Sequence, residues 1–267
     1  MRPEEEASGP VRLWIDTDIG TNVDDAVALL AAVAHPAVEL VGVSTVGSDP
    51  ERRAAVAVGL LAAAGVDLGS VVVAAGAEAA VAGVASSGAE ALLAIGPLTN
   101  VAAMTAAGVR PAGLTIMGGA LRPVEHRGEL RAVEHNFGSD PAAAAAVLAV
   151  PGAVLVPLDA TVATRLDDRM VAKLVATAPV LEPMVSAWIA QWGEVVLHDP
   201  AALLIAAGDG SELGRFERRR LLVEPDGRLV DGGRGASGTV HDVVTSLFGV
   251  AVIASVLALL ADLKLTA

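Results

Sequence analysis

Apolar and polar positions along the first two thirds of the chain spell out strand, helix, strand in turn. Val11 to Asp16 is a short apolar run ending in an acid, and after a glycine-containing loop Asp24 to Ala34 has the length and apolar content of a helix. The pattern continues with expected strands at Val38–Val46, Val71–Ala75, Ala91–Ile95, Leu114–Met117 and Val154–Pro157, and expected helices at Pro50–Ala64, Pro97–Ala107 and Pro141–Ala149. Such alternation favours an α/β fold, a mostly parallel central sheet flanked by helices. In sheets of this kind ligands bind beyond the carboxyl ends of the strands, so the residues just after each strand are where chemistry is expected. After Asp167 the pattern turns helical to about Ala207 and then becomes mixed, with Arg215 to Glu224 resembling an antiparallel edge strand.

One segment tests whether the chain enters a membrane. Val243 to Ala261 carries no charged side chain and has about the length of a bilayer span. Thr245, Ser246, Gly249 and Ser255 within it, and Asp242 and Asp262 at its flanks, favour a buried C-terminal helix instead. There is no internal repeat and no linker rich enough in Pro, Gly or Ser to split the chain, so residues 1–10 read as a flexible N-terminus and 11–267 as one domain.

Composition narrows the chemistry. At 267 residues the chain can bury a sizeable core without covalent help. It has no cysteine, so any metal must be held by oxygen or by its five histidines, and hard cations such as Ca2+ or Mg2+ lead. A formal charge of −13, with three Trp, three Phe and no Tyr, opposes a nucleic-acid polymer as partner. Glu4, Glu5 and Glu6 stand where a signal peptide would place basic residues, which points to an unexported, cytoplasmic protein.

The densest chemical signal is Asp16, Asp18, Asp24 and Asp25, crowded into the end of the first strand, its loop and the first turn of the next helix. Helix capping and the macrodipole account for Asp24 or Asp25 but not for all four acids. A divalent cation taking six to eight oxygen ligands would neutralise the remainder. The D-x-D arrangement also evokes the aspartyl-phosphate nucleophile of haloacid-dehalogenase-like phosphatases. Gly20 stands where that motif has Thr or Val, however, and neither Lys173 nor Lys264 lies in a matching context.

With their company these acids resemble the nucleoside hydrolase family, whose opening motif has the form D-x-D-P-G-x-D-D-A. Here it reads Asp16-Thr17-Asp18-Ile19-Gly20, then Thr21-Asn22-Val23, then Asp24-Asp25-Ala26, with Ile for Pro and two extra loop residues. Four further blocks follow in the family's order: Ile95-Gly96-Pro97-Leu98-Thr99-Asn100, Met117-Gly118-Gly119, Glu134-His135-Asn136-Phe137 running into Asp140-Pro141, and His198-Asp199-Pro200. Any one is weak; five in order, spanning roughly residues 11 to 262, are specific.

The resemblance implies a nucleoside-hydrolase-like, Rossmann-like core and Ca2+ held by Asp18, Asp25, the backbone carbonyl of Ile95 and Asp199. It implies Asp18 as general base, with Asp24, Met117, Glu134 and Asn136 embracing a ribose. His198 then either protonates the departing base or merely orients Asp199. The implied partner is a small-molecule nucleoside or related N-riboside, and the implied assembly a homo-oligomer, a dimer or tetramer. The chemistry is coherent: a cation lowers the pKa of bound water, a carboxylate accepts its proton, and the water attacks an anomeric carbon with oxocarbenium character.

The sequence also departs from the family pattern. The stretch between Met117 and Glu134 is longer, and Arg127-Gly128-Glu129 replaces a Gly-Asn step that touches the sugar. Thr45-Val46-Gly47-Ser48-Asp49 stands where purine and pyrimidine hydrolases have an Asn after Gly, which makes Asp49 a candidate hydroxyl acceptor. Residues 76–88 lack the family's histidine-containing loop. Such changes point to a substrate other than inosine or uridine, and they leave a second reading open, a catalytically weak relative that binds metal and a sugar-like ligand without turnover. Among the histidines, His135 replaces an aromatic residue and either faces the ligand or fills the same space, His35 reads as a helix C-terminal residue, and His126 and His241 have no motif around them.

Overall fold

The computed structural model describes residues 9–263 apart from Thr21, Arg127 and residues 233–237. The expectation of a flexible N-terminus therefore falls outside the described residues except at Gly9 and Pro10. The chain opens with β1 (Val11–Thr17), α1 (Asp24–Ala34), β2 (Val38–Thr45), α2 (Pro50–Ala63), β3 (Val72–Ala75), α3 (Gly76–Ser87), β4 (Ala91–Ala94) and α4 (Thr99–Ala106). Next come β5 (Gly113–Met117), a hairpin of β6 (Val124–His126) and β7 (Glu129–Arg131), α5 (His135–Ser139), α6 (Pro141–Leu148), β8 (Val154–Val156) and α7 (Leu158–Thr161). The remainder is α8 (Asp168–Thr177), α9 (Glu182–Trp192), α10 (His198–Ala206), α11 (Gly210–Leu213), β9 (Gly214–Val223), β10 (Leu229–Asp231), β11 (Thr239–Leu247) and α12 (Gly249–Asp262).

Among the described residues, nine strands form one sheet in the order β10-β9-β11-β8-β5-β4-β1-β2-β3. From β11 to β3 every neighbour pair is parallel, while β9 runs antiparallel to both β11 and β10. Side chains alternate across it with the two-residue period of a strand. Leu13 and Ile15 on β1 join a core with α1, α10 and α12, whereas Trp14 between them joins a second core with Val84 of α3, Met104 of α4 and Leu148 of α6. The expected mostly parallel sheet with helices on both faces is thus the fold observed.

Three details differ from the sequence reading. Helix α3 carries Gly83 at mid-helix, which weakens its local signal, yet packing demands that residue. A Cβ there would lie 2.4 Å from the ring of the fully buried Trp14, and one at Gly42, its partner on the neighbouring strand β2, would lie 2.1 Å from it. The segment read as one C-terminal helix from Val243 instead divides. Its first residues belong to β11, paired with β8 and β9, and only the 14 residues from Gly249 form α12. Arg215 to Glu224 does contain an antiparallel strand, β9, but β10 covers its outer side and takes the edge. Among the described residues no single helix is long and apolar enough to cross a membrane.

Candidate active site

The strand order places the carboxyl ends of β8, β5, β4 and β1 side by side, and the segments leaving them build one cavity of about 330 Å³. Asp18 follows β1, Ile95 follows β4, Met117 ends β5 and Leu158 follows β8, and all four line it. Asn22, Asp24 and Asp25 enter from the loop and first turn of α1, and His198 and Asp199 from the first turn of α10. Glu134, His135 and Asn136 enter at the start of α5. Gly96 permits the closest approach. A Cβ there would stand 2.8 Å from the amide nitrogen of Asp18, so a bare backbone is what lets the Ile95 segment lie against the acidic loop.

Asp24, Asp25 and Asp199 are 0%, 2% and 4% exposed, and their carboxylates offer oxygens all within 4.8 Å of one another. Burial at this depth excludes solvation as the remedy for their charge. Burial pushes the Asp25 carboxyl well above its ordinary pKa, the charges of Asp18 and Asp24 push it further, and Thr17 and Arg53 pull it down. Asp199 is raised in the same way by burial and then by Asp24, Asp25, Asp18 and Glu134. Capping does not explain these acids, because α1 has no side-chain cap at its N-terminus. Asp24 Oδ2 instead accepts the Asp199 N–H at 3.4 Å, which ties the first turns of α1 and α10 together. Buried hard oxygen donors that repel one another fit a divalent cation of the Ca2+ or Mg2+ kind.

Asp18 stands at the rim of this group, 9% exposed, its carboxyl raised by burial and lowered by His135 and Arg53. Its position is fixed through its backbone. Arg53 on α2 donates Nη1 to the carbonyls of Asp18 and Ile19, the latter at 3.0 Å, and Nε to Ser48 O at 3.1 Å. On the other side Thr17 Oγ1 donates to Asp25 Oδ1 at 2.5 Å while accepting the Ile19 N–H at 3.1 Å. Asp16 points away from the cavity. Its Oδ1 accepts from Ser44 Oγ at 2.5 Å and Asn100 Nδ2 at 2.8 Å, and burial raises its pKa to about 7 against those two bonds, with a further push from Asp18.

Glu134 caps α5. Its carboxylate accepts the N–H groups of Asn136 at 2.8 Å, Gly119 at 3.0 Å and Phe137 at 3.2 Å, which lower a pKa that burial raises. Asn136 Nδ2 in turn donates to Ile95 O at 3.2 Å and Met117 O at 3.1 Å, joining the two strand ends. His198 is held by Thr161, whose Oγ1 lies 2.7 Å from Nδ1. His135 is largely exposed at the mouth, with Nε2 3.9 Å from Asp18 Oδ2.

The structure thus brings together Asp18, Asp24, Asp25, Ile95, Met117, Glu134, Asn136, His198 and Asp199. It does not bring Asp49 to them. Asp49 is exposed outside the cavity in the left-handed region, φ 56°, where its carboxylate caps α2 by accepting the Arg52 N–H at 3.2 Å. His35 pairs with Asp209 at 3.0 Å, and His241 Nε2 bonds the Leu148 carbonyl at 3.1 Å with its pKa lowered by burial. Sequence reasoning missed Arg131, Trp188, Gln191 and Trp192, which also line the cavity. Trp188 and Trp192 sit one turn apart on α9, ring centroids 5.8 Å apart and tilted by 44°. Their i,i+4 spacing, in a chain with only three tryptophans, was the available signal.

The sequence matches the family model described as inosine-uridine preferring nucleoside hydrolase over residues 79–246. No curated protein matches it. Solved structures do, across nearly their full length. A purine-preferring ribonucleoside hydrolase from Gardnerella vaginalis superposes with a TM-score of 0.78 at 20% identity, covering 94% of this chain and 98% of that one. An inosine-uridine preferring nucleoside hydrolase from Bacillus anthracis gives 0.76 at 19% identity, covering 94% and 99%. A plant nucleoside hydrolase gives 0.75 at 18%, again covering 94% and 99%. Identities this low speak for the fold alone, and it is the match of the family model to well over half of the chain that decides membership. The chain belongs to the inosine-uridine preferring nucleoside hydrolase family.

Proposed function

We propose that this protein is a Ca2+-dependent hydrolase of the N-glycosidic bond in a small-molecule nucleoside or related N-riboside, releasing base and ribose. The observation that carries the proposal is the meeting, in one cavity, of buried carboxylates from α1 and α10 with the end of β4. Asp18, Asp25, Asp199 and the Ile95 carbonyl would hold the cation, with Asp24 close enough to belong to the same oxygen cluster. When bound, the ion would lower the pKa of a water and neutralise the mutual repulsion of the acids.

The remaining roles follow from the protein's own groups. Asp18, at the rim and less deeply buried than its neighbours, is suited to take the proton from an attacking water. Asp24, Met117, Glu134 and Asn136 are proposed around the ribose. Glu134 and Asn136 are fixed by hydrogen bonds to backbone groups, so a sugar bound against them would meet a rigid wall. His198 is proposed to protonate the leaving base, and the tilted pair Trp188 and Trp192 supplies an aromatic surface suited to a planar ring. A homo-oligomer of two or four copies in the cytoplasm belongs to the same proposal, its subunit number checked by light scattering.

The test is release of reducing sugar from purine, pyrimidine and modified nucleosides by purified protein, before and after chelation and Ca2+ restoration, with Asp18→Asn as control. Turnover that vanishes with chelator and with the substitution is the expected result. Tight Ca2+ binding with no turnover across the panel would refute catalysis and favour a non-catalytic binder.

A further inference from the structure

Thr161 belongs to none of the motif blocks that identify the family, yet its hydroxyl lies within hydrogen-bond distance of His198. It lies at the last position of α7, fully buried, with Oγ1 2.7 Å from His198 Nδ1. The same hydroxyl lies 3.1 Å from the Leu158 carbonyl, to which it donates. A hydroxyl has one proton to give. With that proton on the Leu158 carbonyl, Oγ1 faces the imidazole as an acceptor, and the hydrogen of the neutral ring sits on Nδ1.

The surrounding chain fixes this acceptor. Thr164, also fully buried, donates its hydroxyl to the Thr161 carbonyl at 2.7 Å. The Thr164 carbonyl accepts the Leu197 N–H at 3.3 Å, one residue before His198. The turn that carries the Thr161 hydroxyl and the start of the helix that carries the imidazole are therefore tied to each other by backbone as well as side chain. Leu158, at the other end of α7, lines the cavity, so the same short helix borders the ligand space.

We propose that Thr161 is a positioning residue that fixes the tautomer and orientation of His198, so that Nε2 is the nitrogen that passes a proton to the leaving base. This rests on the reading of His198 as the leaving-group acid. In the step, the bond between the anomeric carbon and the base nitrogen breaks with its electron pair going to the base. The ring enters the step as the imidazolium; its Nε2 proton moves to the base, leaving a neutral ring that keeps its Nδ1 hydrogen on Thr161. A water oxygen forms the new bond to the anomeric carbon and gives one proton to Asp18.

The test uses the full chain with Ca2+ added and compares Thr161→Val and Thr161→Ala, which lack the hydroxyl, with Thr161→Ser, which keeps it, and with His198→Ala. Long-range proton–nitrogen NMR reports the tautomer of each imidazole, and five histidines make a spectrum that His198→Ala suffices to assign. Kinetics are read on a nucleoside and on a 4-nitrophenyl riboside, whose leaving group needs no proton. In the hydroxyl-less variants the His198 pattern should leave the Nδ1–H form. Their kcat on the nucleoside should fall about 10- to 100-fold, within what a general acid contributes, with the nitrophenyl substrate changed less than about threefold and Thr161→Ser near wild type. An unchanged tautomer pattern, or equal losses on both substrates, would overturn the role of Thr161. Equal losses on both substrates in His198→Ala would overturn the acid reading itself, and the proposal with it, whatever Thr161 does to the ring.

Discussion

Replacing Asp25 by Asn should stabilise the metal-free protein and destabilise the metal-loaded one, a crossover that only a site built around a cation produces. Asn is close in shape and keeps an oxygen to accept from Thr17 Oγ1, so the change removes charge with little else. In the metal-free protein Asp25 shares its surroundings with Asp24 and Asp199, whose oxygens lie within 4.8 Å. Two unit charges that far apart repel by about 3 kcal/mol at the effective dielectric of 20 that suits protein interiors. Partial protonation of the cluster relieves some of this, so the gain at pH 8 should be about 1–3 kcal/mol, or roughly 2–10 °C in Tm for a chain of this size. Ca2+ at a hundredfold excess over its Kd adds about 2.7 kcal/mol to the wild type and far less to a variant missing a ligand. Thermal melts of both proteins at pH 8, in chelator and in Ca2+, decide the matter. A variant that is less stable than wild type in chelator would refute the claim that these carboxylates strain against one another, and equal gains from Ca2+ would refute Asp25 as a ligand.

The other expectations are briefer. Because Asp25 and Asp199 have raised pKa values, the folded metal-free protein keeps protons that the unfolded chain releases above about pH 4. Its stability should therefore fall as pH rises through the raised values, and chelated samples melted between pH 5 and pH 8 that grow more stable would contradict this. Gly96→Ala places a methyl 2.8 Å from the Asp18 amide and should cost about 1–3 kcal/mol while weakening Ca2+ binding, measured by melting and calorimetry. Ser44→Ala removes the hydroxyl that joins Trp14 Nε1 to Asp16 and should cost about 1–3 kcal/mol in urea unfolding, since it strands the buried Trp14 N–H and leaves Asp16 Oδ1 with Asn100 alone. Trp188→Ala should raise KM for a nucleoside about tenfold or more if its ring stacks on the base, and an unchanged KM would remove it from the binding surface.

Much of the fold was legible because the signals that encode it are local. The apolar run of β1 and the long apolar stretch of α1 are contiguous and long enough to declare themselves. What was not legible depended on contacts distant in sequence. Gly83 argues against a helix until Trp14, some seventy residues earlier, is seen to need the space. Val243 to Leu247 reads as part of an apolar helix until β8 and β9 are present on either side to take its hydrogen bonds. An apolar run satisfies a buried strand and a buried helix equally well, and only the partner distinguishes them.

The site divides along the same line, for a chemical reason. The inner part is a crowd of carboxylates, which is costly without a cation, and a crowd of that kind on one loop stands out in sequence because few other structures tolerate it. Other lining residues are unremarkable alone. Arg131 sits on a short hairpin, and Trp188 and Trp192 on a helix outside every motif block. Asp49 shows the reverse: an acid next to the right strand reads as a candidate hydroxyl acceptor, but its backbone at φ 56° and its bond to the Arg52 N–H make it the cap of α2. An acid just after a strand has two uses, and the direction of the chain beyond it decides which. After β1 the chain leads to the first turn of α1 at the same cavity, and Asp18 and Asp25 both line it. After β2 it turns directly into α2, and the Asp49 carboxylate is spent on the first turn of that helix.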